Sequence, residues 1–385
     1  MQIKHEISSD EDRINFIRIA RTNGVGMVTF FNLLEEAEDF SDIIEFSEEF
    51  LKEANPKKPI KIASRAQILK EIENVERFGA RMLLITDDDY PELLKHIPDP
   101  PPVITVKGDV SLFDRDIIGV VGSRNASFHG LDYAKYIARE ISKSGAVVAS
   151  GLAKGIDGAV HSMALKGGTI AAIAAGIDNV YPYQNRELYS KVFEQGLIIT
   201  EFPFGSTPKA SNFVQRNRII SGLSYGTVVI EATLRSGSLT TARFANEQGR
   251  EVFAVPGFPS DARSAGCNRL IEQGAIFTSN AEQVVDEISS LRGNFRGEFS
   301  KIRKKAIKEE NKKSKKREAI AFNYDEEVIL SEAAQKIYKK LGSVEISVEV
   351  IYEMFASNVQ NANIALSELE IEGMINVENG KILKV

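Results

Sequence analysis

IIGVVGSRNASFHGLDYAKYIAREISKSGAVVASGLAKGID, residues 117–157, is the stretch that decides the fold. Ile117–Val121 is an apolar run of strand length, and Gly122-Ser123-Arg124-Asn125-Ala126-Ser127 ends it with loop formers. Leu131, Ala134, Ile137, Ala138 and Ile141 then recur at helical spacing over Leu131–Lys143, and Gly145 marks the stop. Ala146–Ala149 is a second strand, closed by Ser150-Gly151-Leu152-Ala153-Lys154-Gly155-Ile156-Asp157. A strand with no polar alternation is buried on both faces, which is how a parallel strand sits between layers of helices.

The same texture extends outward on both sides. Met82–Ile85, Val103–Val106, Thr169–Ala175, Leu197–Thr200, Val228–Ile230 and Val252–Val255 read as further buried strands. A helix over Leu239–Gln248, with Ser238 as N-cap and Gly249 as stop, lies between the last two. Strand–helix alternation predicts an α/β fold, a Rossmann-like, doubly wound, mostly parallel sheet over residues 81–290. Residues 1–75 read as a small helical domain: Ile14, Ile17, Ile19 and Ala20 recur at helical spacing, Asn23-Gly24-Val25-Gly26 breaks the pattern, and Phe30, Leu33 and Leu34 resume it. Such a hairpin either presents backbone N–H groups to a phosphate, as helix-hairpin-helix units do, or serves only to dock.

Residues 292–322 read as a basic linker, with twelve Lys or Arg against four Glu between 292 and 318. Residues 323–385 resume order as three helical patterns and a terminal hairpin around Asn379-Gly380, which predicts a winged-helix-like domain. Its candidate recognition helix, Asn358–Glu372, has no Lys or Arg and carries Glu368, Glu370 and Glu372, so it is expected not to read DNA.

Bulk properties limit the function classes. A chain of 385 residues exceeds one ordinary core. The net charge of −6 gives no global attraction to a polyanion, so a nucleic-acid site must be a local basic cluster. One cysteine, Cys267, excludes an internal disulfide, and the four histidines make no zinc spacing. The start, MQIKHEISSDEDR, lacks the basic and apolar segments of a signal peptide, and the apolar runs are too short for a bilayer; a cytoplasmic protein without membrane contact is expected.

In a parallel sheet, ligands bind beyond the carboxyl ends of the strands. Three loops rich in Gly, Ser and cations leave such ends: 122–127, 150–157, and Glu231-Ala232-Thr233-Leu234-Arg235-Ser236-Gly237-Ser238. Small residues let N–H groups approach an anion, and hydroxyls add donors, so each loop reads as a phosphate cradle or as a tight turn that needs glycine for geometry. A fourth segment, Lys209-Ala210-Ser211-Asn212-Phe213-Val214-Gln215-Arg216-Asn217-Arg218, brings three cations and an aromatic. Arginines suit bidentate phosphate contacts; Phe213 reads either as a base-stacking ring or as core. The candidate DNA-contact residues are therefore Gly122, Ser123, Arg124, Ser127, Ser150, Gly151, Lys154, Lys209, Phe213, Arg216, Asn217, Arg218, Ser236, Gly237 and Ser238. There is no Walker A loop, nucleophile elbow or zincin motif, so no catalytic residue, metal or cofactor is expected. His161, four residues after Asp157, either pairs with it as a base or ties down a helix.

Taken in order, Gly122-Ser123-Arg124 with Ser127, Ser150-Gly151-Leu152-Ala153 with Gly155-Ile156-Asp157 and His161, Gly176-Ile177-Asp178 with Tyr181-Pro182, Glu201 with Pro203, Arg216–Ser221, Ser236–Ala242 and Val255-Pro256-Gly257 resemble the DNA-processing protein A (DprA/Smf) family over residues 80–280. The resemblance implies a cytoplasmic, non-enzymatic homodimer that binds single-stranded DNA and loads the recombinase RecA in natural transformation, with single-strand binding protein as a further partner. It implies that Arg124 is a principal phosphate ligand, Lys209 a flanking cation and Phe213 the ring that meets bases, and that one arginine of Arg216-Asn217-Arg218 is structural. The rival is a Rossmann-like nucleoside-monophosphate glycosidase. Its Pro-Gly-Gly-x-Gly-Thr-x-x-Glu loop is matched here only by Glu231 and Ser236-Gly237-Ser238-Leu239-Thr240, without the double glycine or the trailing glutamate.

Overall fold

The computed structural model describes residues 7–290, apart from 8, 38, 39, 41 and 55–59, together with separate stretches between 332 and 384. Its contacts divide the chain into two units, Met1–Ser300 and Lys301–Val385.

Four helices open the first unit. Ser9 and Asp12 form a capping box at α1 (Asp10–Ala20), and Gly24, at φ +93, turns the chain into α2 (Met27–Glu36). α3 (Ile43–Ala54) follows, and a second capping box, Ser64 with Gln67, starts α4 (Arg65–Arg77). Phe16, Ile17, Phe30, Leu33 and Leu34 pack into one apolar cluster with Leu83, Leu84, Val103 and Ile104 of the sheet, so these helices share a core with it.

The sheet is built from β1 (Arg81–Leu84), then, after the short α5 (Glu92–Lys95), β2 (Val103–Gly108) and β3 (Ile117–Gly122). α6 (Phe128–Lys143), β4 (Val147–Ser150), α7 (Ile156–Ala164), β5 (Thr169–Ala172), α8 (Arg186–Gln195) and β6 (Leu197–Thr200) carry it outward on one side. α9 (Ala210–Leu223) returns the chain to β7 (Gly226–Ile230) beside β3, and α10 (Gly237–Glu247), β8 (Glu251–Ala254), α11 (Ala265–Glu272) and β9 (Ile276–Phe277) extend the other side, with α12 at 281–290. The strand order is β1-β2-β6-β5-β4-β3-β7-β8-β9. The seven strands from β6 to β9 in that order pair in parallel; β2 joins β6, and β1 joins β2, antiparallel.

Alternate residues of the central strands enter different cores. Ile117, Val121, Val147 and Val229 face the cluster shared with α9 and the N-terminal helices, whereas Ile118, Val120, Val148 and Val228 face α6 and α7. The expected doubly wound α/β sheet is present, with three refinements. The two strands nearest the helical domain run antiparallel, β9 is an additional edge strand, and α6 begins at Phe128, three residues early, because Ser127 caps it by accepting from the Gly130 amide. The N-cap of α10 is Ser236 rather than Ser238, since the Ser236 side chain accepts from the Ser238 amide.

In the second unit α13 (Glu332–Lys340) precedes a three-stranded sheet of β10 (Ile346–Ser347), β12 (Lys381–Lys384) and β11 (Ile375–Glu378), in that order. β11 and β12 form the antiparallel pair expected on either side of Asn379-Gly380. The basic linker, that turn and most of the candidate recognition helix Asn358–Glu372 lie outside the described residues.

Candidate nucleic-acid interface

β3 is the strand from which the chain first winds one way, to β4, and later the other, to β7. That reversal opens a crevice at the carboxyl ends of β3 and β7. The three glycine- and serine-rich loops leave three adjacent strands, β4, β3 and β7, and so share this edge. Beneath it, however, most of their polar atoms are already spent on one another.

The Ser123 amide donates to the Glu231 carbonyl at 2.7 Å, and its hydroxyl accepts from the Asn125 amide at 3.1 Å. A Cβ on Gly122 would stand 1.9 Å from the Ile230 carbonyl, so this glycine answers to strand packing. Glu231, held at φ +49, lays its carboxylate across the start of α6: it accepts from the Ser127 amide at 2.7 Å and from the Ser127 hydroxyl. The start of α6 thus holds an internal carboxylate. The Ser150 hydroxyl is buried and donates to the Val120 carbonyl at 2.6 Å. The Ser236 and Ser238 hydroxyls lie 2.7 Å apart, and the Gly237 carbonyl accepts from the Asn217 amide group at 3.2 Å.

Both arginines of the Arg216-Asn217-Arg218 motif are buried. α9 places them in its middle turns, where Ile219, Ile220 and Leu223 press the helix onto the sheet. Arg216 is 3% exposed and donates to the Gly151 and Ala172 carbonyls at 2.5 and 2.6 Å. Burial lowers its guanidinium to about 10, which still leaves it charged near neutrality. Gly151 is a glycine because a Cβ there would lie 2.1 Å from the Arg216 Nη1. Arg218 pairs with Asp99 at 2.7 Å and with Glu201 at 2.8 Å.

Asp157 and His161 serve the same buried layer. Asp157 accepts from the Gly151 amide at 3.2 Å; burial pushes its carboxyl up, against the pull of Arg216 and Arg124. The His161 Nε2 accepts from the Leu152 amide at 3.3 Å, and its Nδ1 meets the Thr169 hydroxyl at 2.8 Å, which itself donates to the Val148 carbonyl. Burial lowers the imidazole to about 3, so it is neutral. The two side chains hold Leu152, at φ +55, and its loop in place rather than forming an acid–base pair.

A different set of residues stands above this layer. Arg124, Lys154 and Lys209 are exposed and Phe213 is half-buried. The Arg124 guanidinium lies over the Phe213 ring at 5.0 Å, and Tyr181, from the loop after β5, packs against the same ring at 5.3 Å. A cation stacked on a ring beside a second ring offers at once a phosphate contact and an apolar face for a base. Asn185 ties the Tyr181 loop to the Lys154 loop by donating to the Leu152 and Ala153 carbonyls at 2.9 and 3.0 Å. Sequence reasoning had not assigned Tyr181, Asn185 or Glu231 to the site; an aromatic beside a proline in a strand-to-helix loop was the available signal for the first. Among the described residues no group of three or more His, Cys, Asp or Glu is placed to hold a metal ion, and no helix is long and apolar enough to cross a membrane.

A doubly wound sheet with a cationic and aromatic rim at its carboxyl edge defines a Rossmann-like α/β protein. The chain belongs to the DNA recombination-mediator protein A family, whose model matches residues 81–289, and residues 10–74 match the DprA-like N-terminal HHH domain. It is 42% identical over 213 residues to DNA processing protein DprA of Bacillus subtilis, covering 54% of this chain and 72% of that one. Protein Smf of Synechocystis is 38% identical over 237 residues, and the match spans 60% of each chain. The X-ray structure of DprA from Streptococcus pneumoniae superimposes with a TM-score of 0.61 at 31% identity, covering 73% of this chain and 98% of that one. A structure of DNA processing protein A from Helicobacter pylori, described as showing its single-stranded DNA binding mode, gives 0.50 at 28% identity, over 56% and 96%.

Proposed function

We propose that this chain binds single-stranded DNA along the rim above β3, β4 and the start of α9, and acts as a recombination mediator. The reading rests on one observation, the Arg124–Phe213–Tyr181 stack on an exposed edge. Arg124, Lys154 and Lys209 neutralise successive phosphates, and a base stacks on Phe213. The buried members of the candidate set, Ser123, Ser150, Gly151, Arg216, Asn217, Arg218 and Ser238, hold the loops that carry these contacts. Stacking needs an unpaired base with a free face, which selects single strands over duplex.

The protein acts by binding rather than by catalysis, since Asp157 and His161 are committed to the loop beneath the rim. By kinship with DprA proteins, it works as a cytoplasmic homodimer that delivers strands to RecA, including strands coated by single-strand binding protein. The test is binding of the full chain to a labelled oligonucleotide, single-stranded and annealed to its complement. Equal or tighter binding of the duplex overturns the reading. A RecA filament assay on coated DNA tests the mediator role separately; no acceleration by the wild-type chain removes that part alone.

A further inference from the structure

Arg124 over Phe213 is not the only guanidinium laid on an exposed ring at this edge. Arg186 lies over the Tyr183 ring at 4.7 Å, close to the 5.0 Å of the first pair. Tyr183 is 68% exposed, and Tyr181, two residues before it, is 47% exposed although it packs on Phe213; Pro182 between them is buried and pins the segment. The same loop is fixed by the two Asn185 hydrogen bonds to the Leu152 and Ala153 carbonyls, directly beside Lys154. Tyr189 fastens the far side by donating to the Ile177 carbonyl.

We propose that Tyr183 and Arg186 form a second stacking station for the same strand, reached from Phe213 by way of Tyr181; the proposal rests on the single-strand reading above. A large ring held two-thirds in water at an anchored position, with a guanidinium over one face, presents a flat apolar surface to a ligand. Arg186 supplies the accompanying charge: its nearest carboxylate, Glu187, stands at 3.9 Å on a mostly exposed side chain and does not sequester it. The unit therefore repeats the chemistry of the first station, ring for base and guanidinium for phosphate. The ligand is a single-stranded oligonucleotide long enough to pass from one ring to the other.

Length separates this station from the first. Oligothymidylates of increasing length are titrated against the full chain and its Tyr183→Ala, Tyr183→Phe, Arg186→Gln and Phe213→Ala variants, with melting temperatures measured beside affinities. Tyr183→Ala weakens binding of long oligonucleotides by roughly five- to 150-fold, the range of one lost base stack, and leaves the shortest bound oligonucleotide unaffected. Tyr183→Phe restores the loss. Arg186→Gln lowers the salt slope by about 0.7 on long oligonucleotides only. Wild-type affinity of Tyr183→Ala at every length overturns the second station, and so does a loss that is equal at every length. If Phe213→Ala binds normally while Tyr183→Ala shows the length-dependent loss, the first station fails and the second stands.

Discussion

Arg216 and Arg124 lie at the same edge of one sheet and do opposite things. Arg216 is enclosed, donates to two backbone carbonyls and pulls on a buried carboxyl; Arg124 is exposed and lies over the Phe213 ring. The contrast divides the site into a floor, whose polar groups are turned inward, and a rim, whose cations and rings face water. A glycine- and serine-rich edge is thus no measure of ligand contact by itself. What counts is whether its donors are still free, and in the floor the Ser127 amide and hydroxyl, the Ser123 amide and the Ser150 hydroxyl are already used.

The largest expected effect breaks the floor. Arg216→Ala takes its donors from the Gly151 and Ala172 carbonyls and removes the largest cationic pull on the Asp157 carboxyl. Leaving a buried hydrogen-bonding group unsatisfied costs about 1–3 kcal/mol. Urea unfolding should therefore show a lower midpoint with an unchanged m-value. If Arg216→Ala keeps wild-type stability yet loses DNA affinity, the residue belongs to the rim and the division is wrong.

Phe213→Ala probes the rim with a comparably large side chain. The ring is half-buried and touches Tyr181 and Arg124, so its loss should cost roughly 1–3 kcal/mol in binding, with the salt slope unchanged because stacking releases no counterion. The melting temperature should stay close to wild type. A core phenylalanine would instead take about 3–5 kcal/mol from stability, and a sharp fall in melting temperature would move Phe213 to the floor.

The floor also carries a pH signature that the rim lacks. His161 is held at about 3 in the folded protein against an ordinary value of 6.5. Between those values the unfolded chain binds more protons, so stability that is full above pH 6.5 drains away as pH falls toward 3, by about 1.4 kcal/mol per pH unit. His161→Gln should flatten this slope in urea titrations between pH 6.5 and 5 by nearly one proton. An unaltered slope means the imidazole is not buried neutral.

Much of this was legible in the sequence, and the remainder follows a physical pattern. The parallel strands announced themselves because residues such as Ile117–Val121 are buried on both faces, and the placing of three loops at one edge followed from the strands' common direction. β1 and β2 could be recognised as strands but not as antiparallel, since pairing direction is set by partners far along the chain. Side-chain direction within α9 was equally hidden: Phe213, Arg216 and Arg218 sit within six consecutive residues, and only the packing of Ile219, Ile220 and Leu223 fixes which of them faces the sheet. Glu231 was visible as a residue but not as the occupant of the α6 terminus, because its partner Ser127 lies 104 positions away.

The smallest effect gives the sharpest separation, because it compares arginine with arginine. A guanidinium that neutralises one phosphate displaces its condensed counterion, so removing it lowers the salt dependence of single-strand binding by about 0.7 in log–log slope. Arg124→Ala should show that drop at little cost in stability, since its side chain is exposed and rests on one ring. Arg218 makes the counterpart: buried between Asp99 and Glu201, it displaces no counterion, and Arg218→Lys keeps the charge while losing the forked geometry that serves two carboxylates at once. That variant should unfold more readily and bind with the wild-type slope. The difference is read in the slopes alone, so a general loss of active protein, which shifts every affinity equally, cannot imitate it. An unchanged slope for Arg124→Ala removes the phosphate contact from the rim, and a reduced slope for Arg218→Lys would place a floor residue on the DNA.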